Sequence, residues 1–195
     1  MVETALIAAV AFAATNVDDA FVLLAFFAIP KVRDTEIVVG TYVGMAILVV
    51  AAMLLSAVCV AIFPGNLGLL GALPILVGLR QLWSAWRQGG GEPVSLTPGA
   101  GAVEVVELVA IRTIANGADN VAVYIPLFAG QSRAAEILTC VVFAVLAAAW
   151  CFAAKMMHER SEIGTQVQRW GPWITPIVLI ALGVFVFLSN PTFTP

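Results

Sequence analysis

The sequence predicts an all-α membrane protein, with six transmembrane helices arranged as two inverted three-helix repeats. Three observations lead there: the composition, six long apolar runs, and a short polar motif that occurs twice. Of the 195 residues, 62% are apolar and 11% charged, against about 45–50% and about 25% in a soluble domain. So few charges cannot solvate the outside of a globule, which excludes an ordinary water-soluble enzyme. Disorder is excluded as well, because disordered chains are poor in apolar residues. A helical span needs ~20 apolar residues, so six spans occupy roughly 120 and leave little for a soluble domain. The net charge is −3, and no basic patch points to nucleic acid.

The apolar runs lie near 3–29, 37–62, 66–86, 104–129, 134–156 and 172–189. The N-terminus carries Glu3 and no Lys or Arg before its apolar run. A secretory signal wants the opposite charge, so the first run is expected to be a retained helix. Pro30 and the charged patch Lys31 to Glu36 close it. Pro64-Gly65 turns the chain between the second and third runs. The Gly- and Pro-rich stretch that begins at Gln88 reads as a flexible linker. Gly130, Gln131 and Ser132 make the fourth connection, and the polar segment Lys155 to Arg169 the fifth. Pro172 is expected near the first position of the last helix, where its missing N–H is harmless.

Charge asymmetry orients the chain. Lys31, Arg33, Arg80, Arg87, Lys155, Arg160 and Arg169 all flank the odd connections. Cytoplasmic loops are the ones rich in Lys and Arg, so both termini are expected outside. Trp83, Trp86, Trp170 and Trp173 fall at the same interface, as an aromatic belt does.

The repeated motif is Thr15-Asn-Val-Asp-Asp19 and Ala115-Asn-Gly-Ala-Asp-Asn120. Asn16 matches Asn116 and Asp19 matches Asp119, each 100 residues apart. Gly71-Ala-Leu-Pro74 similarly resembles the stretch from Gly171 to Pro176. Residues 1–88 and 104–195 are therefore expected to be two copies of one unit, joined by a cytoplasmic linker over 89–103. Each copy has an odd number of spans, so the second must be upside down. Inverted repeats of this kind hold substrate near the midplane of many secondary transporters.

The motif residues fall at the centres of spans one and four. A central Asp costs about 2.5–3.5 kcal/mol on insertion scales, and here there are three: Asp18, Asp19 and Asp119. Helical spacing groups Thr15, Asn16 and Asp19 on one patch, with Asp18 at its edge. It groups Arg112, Asn116, Asp119, Asn120 and Tyr124 on another. Gly117 and Pro126 weaken the helix and can free backbone carbonyls as ligands. Three carboxylates against Arg112 leave a net negative site that a divalent cation would balance. Carboxylate, amide and carbonyl oxygens are the ligand set of hard or borderline ions. The plainer alternative is a structural polar network, with Arg112 pairing an Asp and the amides bridging helices. Glu104 and Glu107 either concentrate cations at the inner mouth or stabilise a helix N-terminus. His158 is the one histidine and is assigned no role. Cys59, Cys140 and Cys151 lie in apolar runs and read as small buried residues.

The 15–19 motif, and above all Ala-Asn-Gly-Ala-Asp-Asn-Val-Ala-Val-Tyr-Ile-Pro-Leu-Phe at 115–128, resembles the cadmium-resistance transporter (CadD) family of the lysine-exporter superfamily. The resemblance covers nearly the whole chain. It implies export of a divalent cation, cadmium by name, from a bacterial-type cytoplasmic membrane. It also implies a site at Asn16, Asp18, Asp19, Asn116, Asp119 and Asn120. Where the family often carries Glu, this chain has the shorter Asp19. Cadmium favours thiolate, and an oxygen-rich shell suits Mn, Ca or Mg at least as well.

The mechanism expected is alternating access between the repeats, with protonation of an Asp expelling the ion. The partners expected are lipid, a divalent metal ion (Cd²⁺, with Mn²⁺ or Zn²⁺ as alternatives) and protons, and no resident cofactor. A homo-oligomer is left open. No nucleotide-binding loop is present, and no enzymatic activity is expected. Three rivals stand beside this reading. An exporter of amino acids or organic cations would use Arg112 for a substrate carboxylate. A thiol oxidoreductase would need two cysteines that can meet. A channel would pass ions through the same site without alternating gates.

Overall fold

The computed structural model describes residues 1–62, 66–87, 101–117, 119–159 and 161–189, with backbone alone at 18, 84–87, 159 and 161–174. Every regular element among them is helical: α1 (Val2–Thr15), α2 (Val17–Phe27), α3 (Asp34–Ile62), a 3-10 turn (Leu67–Gly71), α4 (Ala72–Arg87), α5 (Ala102–Asn116), α6 (Asn120–Phe128), α7 (Arg133–Glu159) and α8 (Ser161–Ser189). Each of the six apolar runs coincides with helix. Two helices, Asp34–Ile62 and Arg133–His158, are long and apolar enough to cross a bilayer, and the bent pair Val2–Thr15 and Asp19–Phe27 is a third candidate. Leu67–Trp83 and Thr175–Ser189 are shorter apolar helices. The turn at 64–65 and most of the linker, 88–100, lie outside the described residues.

The first run is two helices, which meet at Asn16 with a bend of 63°. The cause is local. Thr15 Oγ1 donates to the Ala11 carbonyl at 2.9 Å and Asn16 Nδ2 to the Phe12 carbonyl at 2.9 Å. Short polar side chains that bond back to the preceding turn compete with the helical ladder. Asn16 accordingly leaves helical geometry, with φ −108° and ψ 15°. The fourth run breaks in the same way. α5 stops at Asn116 and Gly117, and α6 restarts after Asp119. Glycine is a poor interior helix residue, and Asp119 heads α6 without a side-chain cap bond. Non-helical backbone at membrane depth is tolerated only when protein surrounds it, and the packing supplies that cover.

The long helix α3 lies along α5 and α6, and α7 lies along α1 and α2; α4 packs on α8. Each broken pair is thus held by the long helix from the other half of the chain. Gly40 and Gly44, four residues apart on α3, allow the close approach to α5: a Cβ on them would sit 2.7 Å from the Val106 carbonyl and 2.9 Å from the Ala110 carbonyl. Small residues at such spacing are the usual device for tight helix pairs in membranes. Phe143 of α7 anchors the centre. Its ring packs edge-on against Phe12 of α1, centroids 5.4 Å apart, and at a tilt against Tyr124 of α6, 4.7 Å apart.

The fifth connection differs from expectation. α7 continues to Glu159 and α8 begins at Ser161, so the stretch from Lys155 to Arg169 is largely helical and not a loop. His158 accordingly lies on α7, exposed. Pro172 sits inside α8 and does not open it. Polarity was the misleading signal, because Glu, Gln, Lys and Arg are good helix formers. Arg160 lies outside the described residues. Where α7 approaches α3, Lys155 Nζ pairs with Asp34 at 2.5 Å.

Candidate functional site

The two breaks meet in the interior. Tyr124, fully buried on α6, reaches across to α1. Its hydroxyl lies 3.1 Å from Thr15 Oγ1 and accepts from Asn16 Nδ2 at 2.9 Å. Asn16 Nδ2 is also 2.9 Å from Thr15 Oγ1. The Trp150 indole N–H of α7 donates to the Asn16 carbonyl. Thr15 and Asn16 are 2% and 1% exposed, so this network is sealed from both sides. Helical spacing grouped Tyr124 with Asn116 and Asp119. The structure joins it to the other motif, because the break turns α6 toward α1.

The second link is between the motifs themselves. Asn116 Nδ2 donates to Asp19 Oδ1 at 2.6 Å. Asp19 is buried, at 6% exposure. Its repeat counterpart, Asp119, takes a different partner: Gln81 Nε2 of α4 donates to Asp119 Oδ2 at 2.6 Å. Asn120 is buried beside it, and its Nδ2 has no hydrogen-bond partner. The side chain of Asp18 lies outside the described residues. A cavity of about 10 Å³ adjoins Asn16 and Asp19, lined also by Thr41, Met45, Thr113 and Trp150. That is about the room one water needs.

The remaining candidates stand apart from this centre. Arg112 is half-buried and makes no ion pair among the described residues. Glu104 opens α5, and its Oε2 accepts the Gly101 N–H at 3.0 Å; this is the helix-terminus role. Glu107 is exposed. Among the described residues no three Asp, Glu, His or Cys side chains are grouped to hold a metal ion. Any ion here would therefore take amide and hydroxyl oxygens beside the carboxylates. The three cysteines are free, with Cys151 buried.

Sequence reasoning missed Gln81, Trp150, Thr41 and Thr113. Gln81 carries a readable signal, an uncharged polar residue in an amphipathic apolar segment. The other three carry none, because Trp and Thr are ordinary in such helices.

Removal of the Tyr124 hydroxyl tests the sealed network. Tyr124→Phe removes one of three acceptors around the Asn16 amide, which keeps the Phe12 carbonyl and Thr15 Oγ1, so the cost is that of a hydrogen bond, about 0.5–1.5 kcal/mol. The variant is expected to melt several degrees lower in detergent, and an unchanged melting point would show that the network is not structural.

The geometry is that of a buried oxygen-rich centre at two helix breaks, with room for something the size of one ion. No curated protein and no solved structure matches the chain. The family described as cadmium resistance transporter matches residues 12–195, and the chain belongs to that family.

Proposed function

We propose that this protein exports a divalent metal cation from the cytoplasm, with Asp19, Asn116, Asp119, Asn120 and Asn16 forming the midplane site and Asp18 beside it. The observation that carries the reading is the pairing of Asp19 with Asn116 at 2.6 Å, next to a cavity of about 10 Å³. A cavity that size suits a dehydrated ion. Pockets for organic ligands are typically about 300–1,000 Å³, which weighs against an amino acid as cargo. The carboxylate, amide and hydroxyl donors are a hard to borderline set. Cadmium is therefore one cargo among several, with manganese and zinc as competitors.

The reciprocal packing supports two inverted three-helix repeats. α3 on α5 and α6 mirrors α7 on α1 and α2, as a two-fold axis in the membrane plane would require. Transport then proceeds by rocking of the two halves about the paired breaks, in a cytoplasmic membrane with both termini outside. An ion enters along α5, loses water against Asp19 and Asp119, and leaves when protons replace it on the carboxylates.

Uptake of ¹⁰⁹Cd, Mn²⁺ and Zn²⁺ into inverted membrane vesicles tests this, beside a panel of basic amino acids. Metal accumulation without amino-acid accumulation is expected, and the opposite result would favour the organic-cation reading. An acidic lumen is expected to drive uptake, since one pH unit is worth about tenfold per proton exchanged. Equal rates with and without the gradient would remove the proton from the mechanism.

A further inference from the structure

Among the described residues, α4 reaches the polar centre through Gln81. Gln81 spends its amide N–H on Asp119 Oδ2. That pairing leaves two oxygens over, Gln81 Oε1 and Asp119 Oδ1. Both are buried, and neither has a hydrogen-bond partner. Asp119 is in no ion pair among the described residues. Unsatisfied buried acceptors are rare in native proteins, and each calls for an explanation. Two on the same hydrogen-bonded pair make a corner rich in oxygen, and the adjoining Asn120 Nδ2, a donor also without a partner, bonds neither of them. A cation satisfies both at once.

We propose that Gln81 is a ligand of the transported ion and sets which ion is carried. Its N–H holds the Asp119 carboxylate in place, and its carbonyl oxygen joins Asp119 Oδ1 toward the metal. Neither copy of the repeated motif includes it, and position 181, one repeat further on, is Ala. The site is thereby lopsided, with an extra oxygen from the first half only. The inference rests on the divalent-cation reading and adds a residue that governs its selectivity. A neutral amide oxygen favours hard and borderline ions, and a thioether in its place favours soft ones.

The test is the ratio of apparent KM values for Mn²⁺ and Cd²⁺ in inverted vesicles holding wild type, Gln81→Met or Gln81→Leu. Gln81→Met keeps the length of the side chain and exchanges oxygen for sulfur. It is expected to shift the ratio toward cadmium by about tenfold, the scale of losing or exchanging a supporting metal contact. Gln81→Leu is expected to raise KM for both ions by about tenfold or more, with a smaller change in kcat. A Met variant with the wild-type ratio overturns the inference, whatever the Leu variant does. If the Met variant is not recovered as a folded protein, wild-type KM values in Gln81→Leu overturn it. Failure of wild type to carry either ion defeats the cation reading itself. Loss of transport in Asp119→Asn with wild-type behaviour at Gln81 defeats the Gln81 assignment alone.

Discussion

Asp19→Asn and Asp119→Asn are each expected to bring metal transport to the background of empty vesicles while the protein still folds. The substitution is nearly isosteric. In Asp19→Asn the new carbonyl oxygen can still accept from Asn116 Nδ2, which now donates to Oδ1 at 2.6 Å. In Asp119→Asn it can still accept from Gln81 Nε2. What disappears is one full negative charge from a centre where Asp19 is buried and hydrogen-bonded to Asn116. A dehydrated divalent ion needs that charge, because the interior repays lost hydration only through close opposite charge. Uptake of ¹⁰⁹Cd and a size-exclusion profile in detergent separate the two effects. Wild-type transport by either variant would remove that residue from the site.

Gly71→Ala and Gly183→Ala are each expected to lower the stability of this protein markedly. A Cβ on Gly71 would lie 2.5 Å from the Gly183 carbonyl oxygen and 2.8 Å from the Phe187 nitrogen. A Cβ on Gly183 would lie 2.6 Å from the Gly71 carbonyl oxygen and 2.9 Å from the Ile75 nitrogen. Both clashes are against backbone, so no rotamer change relieves them and α4 must move off α8. Overpacking of this kind costs about 1–3 kcal/mol. Gly71 and Gly183 serve one contact, so the double variant is expected to lose less than the sum of the singles. The neighbouring Ala72 is exposed, and Ala72→Leu is the matched control, expected to melt with wild type. Thermal unfolding in detergent checks all four proteins. A Gly183→Ala variant as stable as wild type would mean that the two helices are not held this closely.

Much of the helix content was legible because a bilayer demands long apolar runs, and each such run is a helix. The motif pairing was partly legible. The motif spacing singled out Asp19 and Asn116, which are in contact, whereas Asn16 bonds Tyr124 and Asp119 bonds Gln81. What helical spacing does not contain is the bend at each motif. Thr15 and Asn16 bond back to their own turn, the chain turns by 63°, and face assignments made for a straight helix fail beyond it. Tyr124 was misplaced because α5 ends at Asn116 and α6 starts afresh at Asn120, so one continuous helix face does not run from Arg112 to Tyr124. The stretch from Lys155 to Arg169 misled differently: its residues are polar, yet their side chains favour helix. Gln81 carries a signal, an uncharged polar residue in an apolar segment, but the signal does not name its partner. Its role depends on where α4 lies relative to α6, which no local pattern encodes.

The exchange of partners between the two halves bears on how the chain is made. The hydrogen bonds that seal the first break come from Tyr124 and Trp150, 108 and 134 residues downstream of Asn16. During synthesis the opening segment therefore leaves the translocon with a kinked, polar stretch that nothing yet covers. Its polar groups can meet these partners only after α6 and α7 have been made. Chains truncated before α7 lack the Trp150 partner of Asn16 and are expected to accumulate less than the full chain, which a pulse-chase of both in membranes checks.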